Sequence, residues 1–339
     1  MISRRKVLLG GLLLSSGLLS SNFKKIARAR EAKSGESFEA AVVGGGFAGL
    51  QAALTLGRAC RKVILFDSGK PRNAVPGSFH NFIGEDGMAQ AKLFAQAKEQ
   101  LNQYDITICN DRVEAATKDG AQFTLTTAGG LSITSKKLLI ATGVKDSLPQ
   151  IKGMSALWGK GVYYCPFCSG WEVRNKPLAV LGTGDGGANA ALTLTGWSKD
   201  IVLLTGGEGQ ISPERSKLLK KQKIDVIEDK IEALEGNSTL AAIVLVGGKK
   251  LKRDAIFLQP SENHASPLLT SLGAKLNSWG LPVLNFSGHT SVPGVYVAGD
   301  ASGKPFQAIG AAADGATAAF AMSRALIFDG LDTAGEPTS

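Results

Sequence analysis

Short apolar runs broken by glycine turns set the rhythm of this chain. Glu39 to Val43 is a compact apolar run that ends in Gly44-Gly45-Gly46-Phe47-Ala48-Gly49, and Leu50 to Ala59 then carries apolar residues at helical spacing. A second run, Lys62 to Phe66, stops at Asp67. The order predicts strand, turn, helix and strand, the opening of a βαβ unit. Gln122–Thr126 and Leu131–Thr134 alternate on either side of Gly129-Gly130 and predict a hairpin. A further run, Lys137–Ile140, leads into Ala141-Thr142-Gly143. After Pro177 the pattern restarts: a strand at Leu178–Leu181, a second glycine turn, a helix from Ala188 and a strand at Ile201–Leu204. The C-terminal part offers Val295-Tyr296-Val297 before Ala298-Gly299-Asp300, then a helix rich in small residues from about Gln307 to Phe328. The expectation is an α/β protein built on two βαβ units.

The first residues follow a different logic. Met1 to Arg5 is basic, Val7 to Leu19 is apolar, and Ala27-Arg28-Ala29 has the spacing of a cleavage site. Ser3-Arg4-Arg5-Lys6-Val7-Leu8 adds a twin-arginine signature, so residues 1–29 are expected to be a signal that directs the chain to the periplasm or another extracytoplasmic space. The apolar run falls short of the roughly twenty residues that a membrane span needs. Setting this segment aside lowers the net charge from +9 to +3, because it holds six Lys and Arg and no acid. The basic balance therefore gives no reason to expect a nucleic-acid partner. What remains is long enough for two domains.

Two glycine fingerprints carry the first candidate chemistry. Gly44, Gly46 and Gly49 would give a tight turn, a close approach for a pyrophosphate and close helix packing, and Asp67 stands where an acid meets a ribose hydroxyl. Gly182, Gly184 and Gly187, with Asp185 among them, repeat the turn in the second unit. Cys165-Pro166-Phe167-Cys168 lies just ahead of that second turn. A C-x-x-C pair closes a short loop, so dithiol and disulfide interconvert with little chain rearrangement. No metal site is expected, since only Cys60 and Cys109 remain and neither belongs to a second pair. Both read as buried small hydrophobes. Trp171 and Trp197 either shape the dithiol site or pack in the core, core packing being the expectation.

Taken together, Val43–Gly49, Ala141-Thr142-Gly143, Cys165–Cys168, Gly182-Thr183-Gly184, Gly299-Asp300 and Gln307-Ala308 make the chain similar to the low-molecular-weight thioredoxin reductase family. Asp67-Ser68-Gly69-Lys70-Pro71-Arg72-Asn73 and Cys165–Glu172 resemble most a branch that includes the gliotoxin-type dithiol oxidases. The resemblance implies two Rossmann-like, three-layer dinucleotide-binding domains. An FAD domain would comprise 38–150 and 262–330, an NAD(P)-type domain carrying the cysteines would comprise 151–261, and 331–339 would be a tail. FAD would be held by Gly44, Gly46, Phe47, Ala48, Gly49, Asp67, Arg72, Asn73, Ala141, Thr142, Gly143, Gly299, Asp300, Gln307 and Ala308. Cys168 would face the flavin and Cys165 would exchange with substrate. The expected partner is a small dithiol or disulfide or a thioredoxin-like protein, and the expected assembly a homodimer. A domain rotation would hinge near Gln150–Gly153 and Pro260–Ser266.

Two positions depart from the family pattern. The residue after the second cysteine is Ser169, a poor general acid at neutral pH, which leaves His80 in Phe79-His80-Asn81-Phe82 as a substitute. After the strand Ile201–Leu204 the chain runs Thr205-Gly206-Gly207-Glu208 with no Lys or Arg before Arg215. A preference for NADPH is therefore not expected, and NADH, or no nicotinamide at all, stays open. The same parts could run as a reductase or, with another electron acceptor, as an exported dithiol oxidase. The alternative from another class is a flavin-binding electron carrier or sensor with structural cysteines.

Overall fold

The computed structural model describes residues 31–72, 78–207, 209–264, 266–304, 307–329 and 331. The expected export signal, Asn73 and nearly all of the expected tail fall outside these residues. Among the described residues no helix is long and apolar enough to cross a membrane.

Branched apolar runs with no polar interruption suit strands that are covered on both faces. Val63–Phe66 is such a run, buried at every position, and it lies between Ile106–Cys109 and Ser37–Val43 in a seven-stranded sheet. The order continues through Ser132–Ile140, Gln122–Thr127 and Val113–Asp119, and Val295–Val297 pairs in parallel with the end of Ser132–Ile140. Helix Phe47–Arg58 and the long helix Ala308–Asp329 cover one face, burying Leu50, Leu56, Ala319 and Met322 against Val42 and Leu65. On the other face Phe38, Ile64 and Phe66 pack with Phe123, Leu125 and Ile133 from the antiparallel hairpin.

Leu131–Thr134 and Lys137–Ile140 are not two elements but one nine-residue strand, Ser132–Ile140. Its first part pairs antiparallel with Gln122–Thr127 and its last part pairs in parallel with Val295–Val297, on the same edge. Lys136 and Lys137 interrupt the apolar pattern without interrupting the backbone ladder, and Lys137 pairs with Asp329 at the end of the long helix.

The second sheet is parallel throughout, in the order Val162–Tyr163, Ala255–Leu258, Leu178–Leu181, Ile201–Leu204 and Asp225–Ile227. The strands Leu178–Leu181 and Ile201–Leu204 keep the bounds expected from the apolar pattern. A three-stranded antiparallel sheet, Ile231–Glu235, Ala242–Leu245 and Lys250–Lys252, shares a core with it through Leu234, Ile243 and Leu258. The chain passes between the two large sheets twice, and the two passages pair with each other. Val144–Ser147 and Ser261–His264 form an antiparallel ladder from Val144 opposite His264 to Ser147 opposite Ser261.

The two free cysteines are not the buried pair expected. Cys60 is exposed, in a left-handed conformation (φ 58°) just beyond helix Phe47–Arg58, where its amide closes the last turn onto the Gly57 carbonyl. Cys109 ends a strand and is only partly covered, and burial, reinforced by the neighbouring Asp111 charge, pushes its thiol up from the usual range. The ring of His289 stands edge-on to the buried Tyr296 at 4.3 Å.

Candidate active site

The first glycine turn is fixed by collisions that any side chain would cause. Gly44 has φ +120°, and a Cβ there would lie 2.2 Å from the Ala141 carbonyl oxygen. Gly49 opens the way for helix Phe47–Arg58 to approach its own turn, since a Cβ would sit 1.8 Å from the Gly44 oxygen. Gly46 differs: nothing lies within 4 Å of where its Cβ would be. That open space at the helix N-terminus is what a pyrophosphate needs, so the residues present fit a dinucleotide. Ala141-Thr142-Gly143 lies alongside, with the Thr142 amide 3.0 Å from the same hypothetical Gly44 Cβ. Ala48 contacts both Gly299 and Gly315, which brings the C-terminal segment onto this turn. Gln307 precedes the long helix, which begins at Ala308, and its carbonyl accepts from the Ala311 amide. The ring of Phe47 packs among Phe79, Phe82 and Phe94, with centroids 4.7 to 5.6 Å away.

Asp67 ends the second strand against Gly45, nearly buried, accepting from the Gly69 amide at 2.9 Å and pairing with Lys98. Lys98 carries no motif and was not foreseen. Arg72 was expected among the cofactor ligands, and its guanidinium proves to be the centre of an ionic cluster. It donates twice to Asp146, at 2.9 and 2.7 Å, and once to Asp300 at 2.9 Å. The same guanidinium carbon lies 5.0 Å from the centroid of the Tyr164 ring. A planar fork meeting one carboxylate with two bonds and a second with another is geometry that lysine cannot copy.

Tyr164 directly precedes the cysteines. Cys165 caps a single helical turn, Pro166–Ser169, and forms a disulfide with Cys168 across a Cα–Cα distance of 5.3 Å. The amides of Cys168 and Ser169 both donate to the Cys165 carbonyl. Gly170 cannot carry a side chain, because a Cβ would meet the Pro166 oxygen at 2.5 Å and the Trp197 ring at 2.8 Å. Phe167 rests edge-on against Trp197 at 5.2 Å. Trp171 is not a core residue: it is 66% exposed, with the Arg174 guanidinium 3.9 Å from its ring centroid. Phe167 is 64% exposed, so the disulfide has an aromatic rim facing solvent.

His80 reaches the same segment from the other side. Its Nε2 lies 3.6 Å from Glu172 Oε1 and its Nδ1 3.6 Å from Asp86 Oδ2, so both ring nitrogens face carboxylates. The Asn81 amide donates to Asp86 and, with His80, holds that carboxyl below the usual range.

The second glycine turn keeps its close packing, since a Cβ on Gly187 would lie 2.5 Å from the Gly182 oxygen. Helix Gly184–Leu194 starts inside the turn, earlier than the apolar pattern suggested, with Gly184 at φ +56°. Asp185 turns toward the following loop and accepts from the Ser212 amide at 2.8 Å. Ser212 in turn caps the helix Pro213–Lys221 by accepting from the Arg215 amide. Among the described residues no group of His, Cys, Asp and Glu is placed to hold a metal ion.

Known proteins share this arrangement. The sequence profile of the pyridine nucleotide-disulphide oxidoreductases matches residues 38–315. Thioredoxin reductase tcpT of Claviceps purpurea is 32% identical over 277 residues, 77% of this chain and 86% of that protein. The thioredoxin reductase of Helicobacter pylori is 29% identical over 304 residues, 84% of this chain and 97% of that protein. Among solved structures, that of HlmI superposes with a TM-score of 0.82 at 33% identity, covering 86% of this chain and 93% of the other.

Proposed function

The chain belongs to the pyridine nucleotide-disulphide oxidoreductase family, and on that premise we propose that Cys165 and Cys168 pass electron pairs to a disulfide partner. It is a thioredoxin-reductase-like enzyme of a family that uses FAD, with NAD(P)H as electron donor. The observation that carries the proposal is the disulfide itself, set one residue from Tyr164 and thereby one side chain from the Arg72–Asp300 pair. FAD, cradled by Gly44–Gly49 with Asp67 and Asp300, supplies when bound the two-electron relay between nicotinamide and sulfur.

The exchange itself needs only the two cysteines. The Cys165 thiolate attacks one sulfur of the substrate disulfide; that bond breaks, a mixed disulfide forms and one substrate sulfur leaves as thiolate. The Cys168 thiolate then attacks Cys165, restoring the intramolecular disulfide and freeing the second substrate sulfur. The substrate gains two electrons and two protons, and the cysteine pair loses them. The exposed Phe167 and Trp171 give the incoming disulfide an apolar rim to rest on. A small disulfide and a thioredoxin-like protein both satisfy this chemistry.

The nicotinamide would lie on the Gly182–Gly187 turn. The chain from Thr205 to Ser212 has no cation to grip a 2′-phosphate, so NADH is expected to serve at least as well as NADPH. An anaerobic titration that follows the visible flavin band with NADPH, NADH and a small dithiol tests the whole reading. Bleaching by nicotinamide and by dithiol supports it. Bleaching by dithiol alone, with colour returning in air, would recast the enzyme as a dithiol oxidase, and indifference to all three would end the proposal. Twin-arginine export and a homodimer belong to the same proposal, resting on residues 1–29 and on resemblance respectively. Cell fractionation after Arg4→Lys with Arg5→Lys, and sedimentation of the purified protein, test them.

A further inference from the structure

The segment that carries the disulfide is gripped at both ends by side chains that come from the flavin-side sheet's loops. Ahead of the pair, Tyr164 lies under Arg72, and the guanidinium is itself fixed by Asp146 and Asp300. Beyond the pair, Glu172 meets His80, which is backed by Asp86. The stretch between these contacts comprises one helical turn, the disulfide and the exposed rings of Phe167 and Trp171, and it rests through Phe167 and Gly170 on Trp197, from its own side of the molecule.

We propose that Arg72 and His80 form a two-point clamp that positions the Cys165–Cys168 segment against the flavin-binding loops, and that both act as positioning residues. This inference rests on the function proposed above.

Three features favour positioning over direct chemistry. Arg72 is mostly covered, donates to Asp146 and Asp300, and lies over the ring of Tyr164. A guanidinium stacked on a ring tolerates sliding but resists separation. His80 has a carboxylate at each nitrogen, one from its own loop and one from the dithiol segment, which suits a tether better than a proton donor to sulfur. The two contacts also fall on opposite sides of the cysteines in sequence, one residue before Cys165 and four after Cys168. Either alone would leave the segment free to pivot, whereas both together fix its position and its angle.

The test uses Tyr164→Leu, Glu172→Gln and the double variant in the full FAD-loaded chain, with Arg72→Lys as a further probe of the fork. Two rates are read by stopped flow: bleaching of the visible band by a small dithiol, and bleaching by NADH or NADPH. The clamp predicts that dithiol bleaching slows about tenfold in each single variant and about a hundredfold in the double, the scale of a misplacement near 1 Å. Nicotinamide bleaching in the Tyr164 and Glu172 variants, which under the expected domain rotation needs this segment to leave the flavin, should not fall by more than about twofold. Hydrogen exchange of the amides of residues 165–173 provides a reading independent of activity. Exchange should quicken in the double variant with FAD bound and with FAD removed. Unchanged exchange there would overturn the clamp, as would an equal fall in both bleaching rates. If the unaltered protein is not bleached by dithiol, the functional proposal fails, while the exchange measurement still decides the clamp.

Discussion

Cys168→Ser is expected to stop turnover of disulfide substrates, with a fall of about a thousandfold or more, while leaving the protein yellow and folded. Without Cys168 the mixed disulfide on Cys165 has no internal thiolate to resolve it, so a covalent substrate adduct should accumulate and be visible as a mass increase. Cys165→Ser should lose turnover to the same degree and collect no adduct. Neither change should cost the fold much, because the disulfide closes a segment of only three intervals and constrains the unfolded chain very little. Retained turnover in both variants would assign the cysteines a structural role and move the chain toward a carrier or sensor of electrons.

Two glycines of one turn should fail in different ways. Gly49→Ala puts a methyl group 1.8 Å from the Gly44 oxygen, a backbone atom that cannot step aside without moving the strand behind it. The expected cost is ~3 kcal/mol or more, shown as a lower melting temperature or as insoluble protein. Gly46 is extended (φ −75°, ψ 180°) and has open space around its absent side chain, so alanine fits the backbone. Gly46→Ala should therefore melt close to the unaltered protein once both are stripped of FAD, yet bind FAD about a hundredfold more weakly, because its methyl group occupies the place of a phosphate. Flavin retention on gel filtration and a melting curve separate the two effects. An alanine at Gly46 that leaves flavin content intact would mean that the dinucleotide does not approach the chain at this turn.

The glycine turns were legible in the sequence because close approach excludes any side chain at several of their positions, Gly46 being the exception that leaves room for a ligand. Each required glycine faces a specific backbone or side-chain atom, as Gly44 faces Ala141 and Gly45 faces Asp67, and such constraints fall at fixed spacing. The strands Leu178–Leu181 and Ile201–Leu204 were equally plain, since continuous burial needs continuous apolar character. Ser132–Ile140 was harder, because Lys136 and Lys137 mimic a strand end while the ladder depends only on backbone groups. Expecting Cys60 to be buried, and leaning to core packing for Trp171, has one origin: apolar character carries no information on whether a residue sits inside an element or just past its end. The ionic contacts lay furthest from view. Arg72 meets Asp146 and Asp300, and His80 meets Glu172, across long stretches of chain with no period and no spacing rule. Glu172 stood within the cysteine motif, Arg72 within the loop after Asp67, and His80 and Asp300 within motifs of their own, so the residues were noticed and their pairing was not.

The ladder between Val144–Ser147 and Ser261–His264 changes how the whole molecule is counted. From the first sheet, residues 148–260 are the loop of a β-hairpin, one that happens to contain a sheet of its own. The chain leaves and returns through neighbouring strands about 5 Å apart, so the first sheet closes over the same short gap whatever hangs beyond it. A body attached by such a stalk leaves the sheet that carries it unaltered, in the way a tool sits on a common handle. The same stalk carries Asp146, which anchors Arg72, so the handle and the grip on the cysteines are built from one piece of backbone.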